Sequence, residues 1–259
     1  MTLQLDGIFT PTTPGSDITR AVTLSQATRT PLIVSNSPRV PDAGPEIARK
    51  RNEAMQTATS RGWQRIMLLD DDITVEPEAV LAALKLLPAY PAAGFRLTEF
   101  PDHSTVIHAH LAAGGTSPVC ITGGALLLDM TYPHKPFPPV YNDDQLFLHP
   151  LLETGGIADA GEARQLPYDP FTAERARTQE FGDILNDGLT RLRQAGQTVT
   201  KADEGFWVQQ LTLRRALIHD ILTRLTLTPA TNAAQISLTE LDTITPARLT
   251  QFITRWLVP

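Results

Sequence analysis

This chain of 259 residues has a single cysteine, no excess of positive charge and no long apolar run. Its single cysteine, Cys120, excludes an intrachain disulfide and fits a reducing compartment. Because Cys120 lies in the apolar run 118–121, we expect a buried, inert thiol. The formal net charge of −6 does not indicate a nucleic-acid-binding surface, which is normally basic. We therefore expect no nucleic acid among the partners.

Targeting and membrane-spanning signals are missing as well. No run approaches the roughly 20 apolar residues of a membrane span. Residues 1–6 lack a basic region followed by an apolar core, so we expect no signal peptide. These features predict a cytoplasmic protein. With 42% hydrophobic and 19% charged residues, the chain has the composition of a globular protein that buries a sizeable core.

The first 90 residues alternate between strand-like and helix-like segments. Strands are predicted over 5–10, 31–36 and 66–69, and helices over 19–28, 46–61 and 78–87. Such alternation favours a mainly parallel sheet with helices on its faces. In open sheets of this kind, ligands gather beyond the carboxyl ends of the strands.

The rest of the chain first resembles strands and then helices. Segments 94–100, 105–112 and 119–129 are predicted as strands, and Gly123 and Gly124 in the last one indicate close approach by another backbone or a ligand. A loop is expected over 131–141 and a short helix from 142. Longer helices are expected over 181–195, 206–227 and 245–257.

The most informative segment is residues 66–77, where a short apolar run ends in Asp70, Asp71 and Asp72. Three adjacent carboxylates repel one another, so they need either solvent or a neutralising cation. Mg²⁺ and Mn²⁺ prefer oxygen ligands and in turn hold phosphates. A solvated acidic turn is the alternative interpretation.

Four features follow one another along residues 5–155: an Arg-Asn pair that begins a helix, the Asp triplet with its continuation to a proline, a Gly-Gly pair and a second acidic pair (Arg51-Asn52, residues 70–77, Gly123-Gly124, Asp143-Asp144). In this order they resemble the GT-A fold of nucleotide-sugar glycosyltransferases, most closely the family 2 group. The triplet corresponds to that group's DXD-type motif.

The resemblance implies an α/β fold with a Rossmann-like, mainly parallel central sheet flanked by helices. It places a GT-A domain at 1–200 and a helical C-terminal appendage at 201–259. It implies a metal-dependent, hexosyltransferase-like enzyme that uses Mn²⁺ or Mg²⁺ and inverts the anomeric configuration. The donor would be a nucleotide-diphosphate sugar, and the acceptor a sugar, a lipid-linked molecule or a small molecule.

The resemblance also suggests roles for the acidic residues. Asp72 is expected to bind the metal directly, while Asp70 binds the ribose or donor sugar or holds a metal-bound water. Asp71 could serve either purpose, because three consecutive aspartates leave the register open. For the base that deprotonates the acceptor hydroxyl, Asp144 is the first choice and Asp143 the second. The alternative for this pair is a helix N-cap.

Further donor-site positions are Thr10 and Pro11 at the end of the first strand, Asn36 after the second, and Gly124. Arg51 lies on a helix face that should pack on the sheet, so its guanidinium needs a buried partner. That partner is expected to be either the diphosphate or an aspartate of the triplet.

Competing interpretations remain at this point. A nucleotidyltransferase would also use acidic metal ligands, and a degenerate GT-A fold could bind nucleotide or glycan without turnover. His108 and His110, on one face of a predicted strand, form a weak candidate zinc pair. The apolar stripe of 207–227 could pack in the core, form a homodimer or, with Arg214, Arg215 and Arg224, contact a lipid phosphate.

Overall fold

The computed structural model describes residues 3–35 and 46–257 and confirms the expected α/β fold. It contains a central sheet of seven strands: β1 Gly7–Pro11, β2 Leu32–Ser35, β3 Arg65–Leu69, β4 Ile73–Thr74, β5 Ala92–Thr98, β6 Ile121–Asp129 and β7 Ala158–Gln165. The helices are α1 Thr19–Thr28, α2 Glu46–Ser60, α3 Pro77–Leu84, α4 Thr105–Ala112, α5 Asp143–Thr154, α6 Ala173–Thr178, α7 Glu180–Gln194, α8 Glu204–Arg224, α9 Thr228–Leu241 and α10 Pro246–Leu257.

The strand order across the sheet is β2-β1-β3-β6-β5-β7-β4. β1 pairs in parallel with β2 and β3, and β5 pairs in parallel with β7, whereas β6 and β4 are antiparallel to their neighbours. Because β6 is antiparallel to both β3 and β5, all strands except β6 and β4 run in the same direction. The sheet is therefore mostly parallel, as the strand–helix alternation predicted.

Side chains alternate between the two faces of the sheet and form two apolar cores. On β3, Met67 and Leu69 belong to the core that includes side chains of α1 and α3. Their neighbours Ile66 and Leu68 point to the opposite core, against α2 and α5. This two-residue periodicity explains why β3 reads as a continuous apolar run, since both of its faces are buried.

The chain forms two compact units, each drawn from several segments. The first contains described residues from Met1–Asp102, Val119–Pro139 and Asp143–Pro167, and the second from His103–Pro118, Val140–Asn142 and Tyr168–Pro259. The sheet belongs to the first unit, and the second is helical. The sequence interpretation expected one boundary at residue 200, and that division into domains stays a prediction.

In the helical unit, Arg214 of α8 is buried and cannot face a lipid phosphate, whereas Arg224 is exposed, so that alternative stays a prediction for Arg224. Its guanidinium donates to Glu180 Oε2 at 2.8 Å and also binds Asp183. Leu211, like Ile218 and Ile221, is buried, so part of the apolar stripe of α8 packs in the core.

No helix in the described part of the chain is long and apolar enough to cross a membrane.

Residues 105–112 form helix α4, and the predicted strand is wrong. Ser104 adopts an extended conformation at the N-cap, and its Oγ accepts a hydrogen bond from Ile107 N. The buried positions Thr105, Val106, His108 and Ala109 follow helical spacing. The cap and the packing of this face outweigh the β-branched residues that favoured a strand.

Candidate functional site

The acidic triplet forms the tight connection between β3 and β4. Asp70 N donates to Gly124 O at 2.8 Å, Ile73 N to Asp70 O at 3.2 Å, and Leu166 N to Asp72 O at 3.0 Å. Three strands separate β3 from β4 in the sheet, a flat distance of about 19 Å. The connecting residues can span only about 14 Å. The sheet must therefore curl around the triplet.

The three carboxylates have three different partners. Asp70 Oδ2 lies 3.0 Å from Arg51 Nη2, and Asp71 Oδ2 accepts a hydrogen bond from Thr12 Oγ1 at 2.8 Å. Asp72 Oδ2 accepts one from Gln165 Nε2 at 3.1 Å. The carboxylate of Asp70 thus pairs with a cation. The carboxylates of Asp71 and Asp72 accept hydrogen bonds from a hydroxyl and an amide, which are both neutral.

Arg51 joins the triplet to the second acidic pair. Besides Asp70, its guanidinium contacts Asp143 Oδ2, with Nη1 at 3.0 Å, and lies 5.6 Å from the centroid of the Phe137 ring. Arg51 is only 4% exposed. An aspartate of the triplet, which was one of the two partners expected from the sequence, is therefore observed beside Arg51, together with Asp143.

The second acidic pair occupies the first turn of α5, where the partial positive charge of a helix N-terminus favours carboxylates. Asp144 Oδ2 accepts a hydrogen bond from Gly123 N at 2.7 Å, and Oδ1 accepts one from Gln145 N at 2.7 Å. Both Asp143 and Asp144 are buried. Main-chain donors thus hold Asp144 in place, whereas Arg51 holds Asp143.

Gly123 and Gly124 provide the space that these side chains occupy. A Cβ atom on Gly123 would lie 2.5 Å from Asp144 Cβ, and one on Gly124 would lie 3.1 Å from Asp70 Oδ2 and 2.5 Å from Ile73 Cδ1. The paired glycines predicted close approach by another backbone or a ligand, whereas the atoms that approach them in the structure belong to side chains of the protein itself.

Burial perturbs the ionisation of this cluster. It raises the pKa of Asp70 and of Asp143 to about 7, although the nearby Arg51 acts in the opposite direction. Burial also raises the pKa of Asp72, to which repulsion from Asp71 adds. The attraction of the carboxylates outweighs burial for Arg51 and raises the pKa of its guanidinium. Strongly perturbed carboxylates at the end of a strand are typical of functional sites.

The predicted donor positions are only partly described. Thr10 and Pro11 are buried at the end of β1, and Thr10 Oγ1 is buried with no hydrogen-bond partner among the described residues. Asn36 lies outside the described residues. The sequence did not reveal Gln165 as a site residue, because β7 was not recognised as a strand. It did not reveal Lys50 either, whose Nζ donates a hydrogen bond to Thr12 O.

The histidine and cysteine predictions need correction. His108 and His110 lie on helix α4, not on one face of a strand, so the geometry expected for a zinc pair is absent. Cys120 is exposed, not buried. Partial burial and the charge of Asp144 raise the pKa of its thiol, which lowers the share of the reactive thiolate.

The carboxylates of the triplet offer oxygen ligands of the kind that a divalent cation binds. In residues 3–35 and 46–257, no group of three His, Cys, Asp or Glu side chains is placed to hold a metal ion alone. Mg²⁺, however, is usually held by one or two carboxylates together with phosphate oxygens. Asp72 has only a neutral hydrogen-bond partner, and Asp70 Oδ1 is buried with none among the described residues. These residues fit a cation that shares its ligands with a bound diphosphate.

Comparison with known proteins finds only partial likenesses in structure. The chain matches no protein-family model and no curated protein. Solved structures that are similar in part include A197 from STIV, with a TM-score of 0.42 and 10% identity over 66% of this chain and 92% of that one. TarS of S. aureus has a TM-score of 0.40 and 11% identity over 97% of this chain and 92% of that one. A proposed nucleotide-diphospho-sugar transferase from Desulfovibrio desulfuricans has a TM-score of 0.39 and 14% identity over 84% of this chain and 98% of that one. All these TM-scores are below 0.5, so the likeness is partial and assigns the chain to no family.

Proposed function

We propose that this protein is a metal-dependent glycosyltransferase that moves a sugar from a nucleotide-diphosphate sugar to an acceptor hydroxyl, with inversion. One observation carries the proposal. Arg51 holds an aspartate from the end of β3 and an aspartate from the start of α5 in one buried cluster. The Asp triplet and the acidic pair of α5, which are distant in the sequence, thereby lie close together. In the proposed reaction the triplet serves the donor and the pair serves the acceptor.

On the donor side, Asp72 is the proposed metal ligand. A cation can replace a neutral amide donor at Asp72 more readily than it can displace the guanidinium from Asp70. Bound Mn²⁺ or Mg²⁺ would neutralise charge on the departing diphosphate. Asp70, fixed by Arg51, has one oxygen without a donor among the described residues, and a hydroxyl of the ribose or donor sugar would supply that donor.

On the acceptor side, Asp144 is the proposed base. Each of its oxygens accepts one main-chain N–H, so lone pairs remain for the proton of the acceptor hydroxyl. As Asp144 takes this proton, the acceptor oxygen attacks the anomeric carbon, and the bond from that carbon to the phosphate oxygen breaks. Asp143 is the weaker candidate, because its carboxylate is already paired with Arg51.

The first experiment is thermal unfolding with a panel of nucleoside diphosphates, with and without Mn²⁺. A nucleotide at 100 times its Kd should raise the Tm by roughly 5–10 °C. The rise should need Mn²⁺ and disappear in Asp72→Asn. Asp242→Asn serves as the matched control, because Asp242 is an exposed aspartate paired with Arg215. If no nucleotide raises the Tm, or if both variants respond alike, the donor site is refuted.

The second experiment separates an enzyme from a non-catalytic module. With the nucleotide found above, release of the nucleoside diphosphate from its sugar conjugates is measured for the unaltered protein and for Asp144→Asn. The variant should keep the nucleotide-dependent rise in Tm and lose turnover by about 10²–10⁴-fold. Nucleotide binding without turnover in the unaltered protein would favour the binding module instead.

A further inference from the structure

A concave surface lies beside α2, on the side of the helix that carries Asn52 and Gln56. It has a cavity volume of about 610 Å³ and lies between α2 and the chain that follows β6. This volume is in the range of pockets that bind small molecules. We call this surface the α2 groove. Its lining includes Gln56, Thr59 and Ser60 from the helix and Tyr132, Pro133 and Pro136 from the facing loop.

The lining of the α2 groove is uncharged. None of the described residues that form it is Asp, Glu, Lys or Arg. His134 also contributes, and burial lowers the pKa of its imidazole, which favours the uncharged form of the ring. A charged ligand would lose hydration here without gaining an opposite charge, which is costly. The groove therefore selects a neutral ligand.

The polar groups on the helix side are suited to hydroxyl donors. Thr59 Oγ1 donates to Met55 O at 3.0 Å and Ser60 Oγ to Thr57 O at 2.9 Å, so both oxygens offer lone pairs outward. The amide of Gln56 is exposed and can both donate and accept. This side of the groove can thus bind a row of hydroxyl groups.

The loop side presents ring faces. Tyr132 is 42% exposed, and Pro133 and Pro136, which also line the groove, are exposed. An exposed aromatic ring offers a flat apolar surface with a polar tip. A ligand that matches both sides has an apolar C–H face and hydroxyls around its edge, which is the chemistry of a pyranose ring.

The loop is held in place before any ligand binds. Asn52 Nδ2 donates to Phe137 O at 2.9 Å, and Phe137 N donates back to Asn52 Oδ1 at 2.7 Å. His134 Nε2 donates to Asp129 O at 2.8 Å. A prearranged loop reduces the entropy cost of binding.

From these observations we propose that the α2 groove is a binding site for a neutral saccharide. The ligand stacks on Tyr132 and binds the hydroxyl and amide groups of α2 through its own hydroxyls. Arg51 and Asn52 are consecutive on this helix, so the groove adjoins the acidic cluster. The site does not depend on catalysis, and saccharide binding can be measured without nucleotide or metal.

Methyl NMR of protein carrying [methyl-¹³C]methionine tests the proposal, because the chain has only four methionines. Met55 and Met130 line the groove, whereas Met67 is fully buried in β3 and serves as an internal control. The probes are cellobiose, maltotriose and di-N-acetylchitobiose at millimolar concentration, with glucose 6-phosphate and a short apolar peptide for comparison. At least one neutral saccharide should shift Met55 and Met130 saturably and leave Met67 unchanged.

Tyr132→Ala should weaken this binding about three- to tenfold, the loss expected for one ring contact. Tyr90→Ala is the matched control, because Tyr90 is similarly exposed at 37% and does not line the groove. An unchanged Met67 signal in both variants reports an intact core. The proposal is overturned if no saccharide shifts Met55 and Met130, if glucose 6-phosphate or the peptide binds more tightly than every saccharide, or if Tyr132→Ala binds as the unaltered protein does.

Discussion

Replacing Arg51 by methionine should destabilise the protein by an amount that grows with pH. Arg51 is 4% exposed, and its guanidinium lies 3.0 Å from both Asp70 Oδ2 and Asp143 Oδ2. Methionine is a flexible side chain without charge, so both carboxylates lose the cation they share. Removing one partner of a buried ion pair costs about 3–5 kcal/mol. We expect a loss of this size at pH 8.

The pH dependence follows from the direction of the pKa shifts. Burial raises the pKa of Asp70 and Asp143 to about 7, against about 3.9 in an unfolded chain. A carboxyl whose pKa is raised by folding contributes stability that is fully present below pH 4 and is lost as the pH rises to about 7. Arg51→Met raises both folded pKa values further, so in the variant the loss continues above pH 7. Each group then contributes about 1.4 kcal/mol per pH unit.

Urea unfolding at pH 5 and pH 8 measures this effect directly. The loss caused by Arg51→Met should be about 2–3 kcal/mol larger at pH 8, and Arg51→Met with Asp143→Asn should recover part of it. Arg61→Met is the control, because Arg61 is exposed and its guanidinium lies over the Trp63 ring. An equal loss at both pH values, or a larger one at pH 5, would refute the proposed charge balance.

Two further predictions concern other close contacts. Gly123→Ala places a methyl group 2.5 Å from Asp144 Cβ, so it should cost about 1–3 kcal/mol in urea unfolding and reduce donor turnover. Unchanged turnover would contradict the role of Asp144 as base. Arg214→Met leaves Glu180 and Asp183 without their buried cation and should cost about 3–5 kcal/mol at neutral pH. An unchanged Tm would show that these carboxylates are not ionised in the folded protein.

Local signals in the sequence predicted the first half of the fold well. Helix α1 spans Thr19–Thr28 as expected, and α2 ends at Ser60, one residue before the predicted end. Gly62 follows with a φ of +67°, a conformation that glycine adopts readily. These segments carry helix-ending residues and an apolar periodicity that agree with their tertiary environment.

Long-range packing decided the elements that were missed. The sequence of β7, ADAGEARQ, contains no β-branched residue and has a glycine in its interior, so strand propensity is low. Its conformation follows from pairing with β5 on one side and β4 on the other. For the same reason the sequence could not reveal that Gln165, at the end of β7, binds Asp72.

The distribution of positive charge also explains which part of the site would need a cation. Arg51 neutralises part of the charge on Asp70 and on the acidic pair of α5, and the α5 N-terminus adds a partial positive charge there. Asp71 Oδ2 accepts from the Thr12 hydroxyl and Asp72 Oδ2 from the Gln165 amide, while the guanidinium of Arg20 donates to the main-chain carbonyl of Asp71 and its charge acts on Asp72 from there. Among the described residues, no cationic side chain pairs directly with the carboxylates of the second and third residues of the triplet, whereas Arg51 pairs with Asp70. In the proposed function, a divalent cation carrying a diphosphate would supply its charge at this point, where the resemblance in the sequence had already placed the metal ligand Asp72.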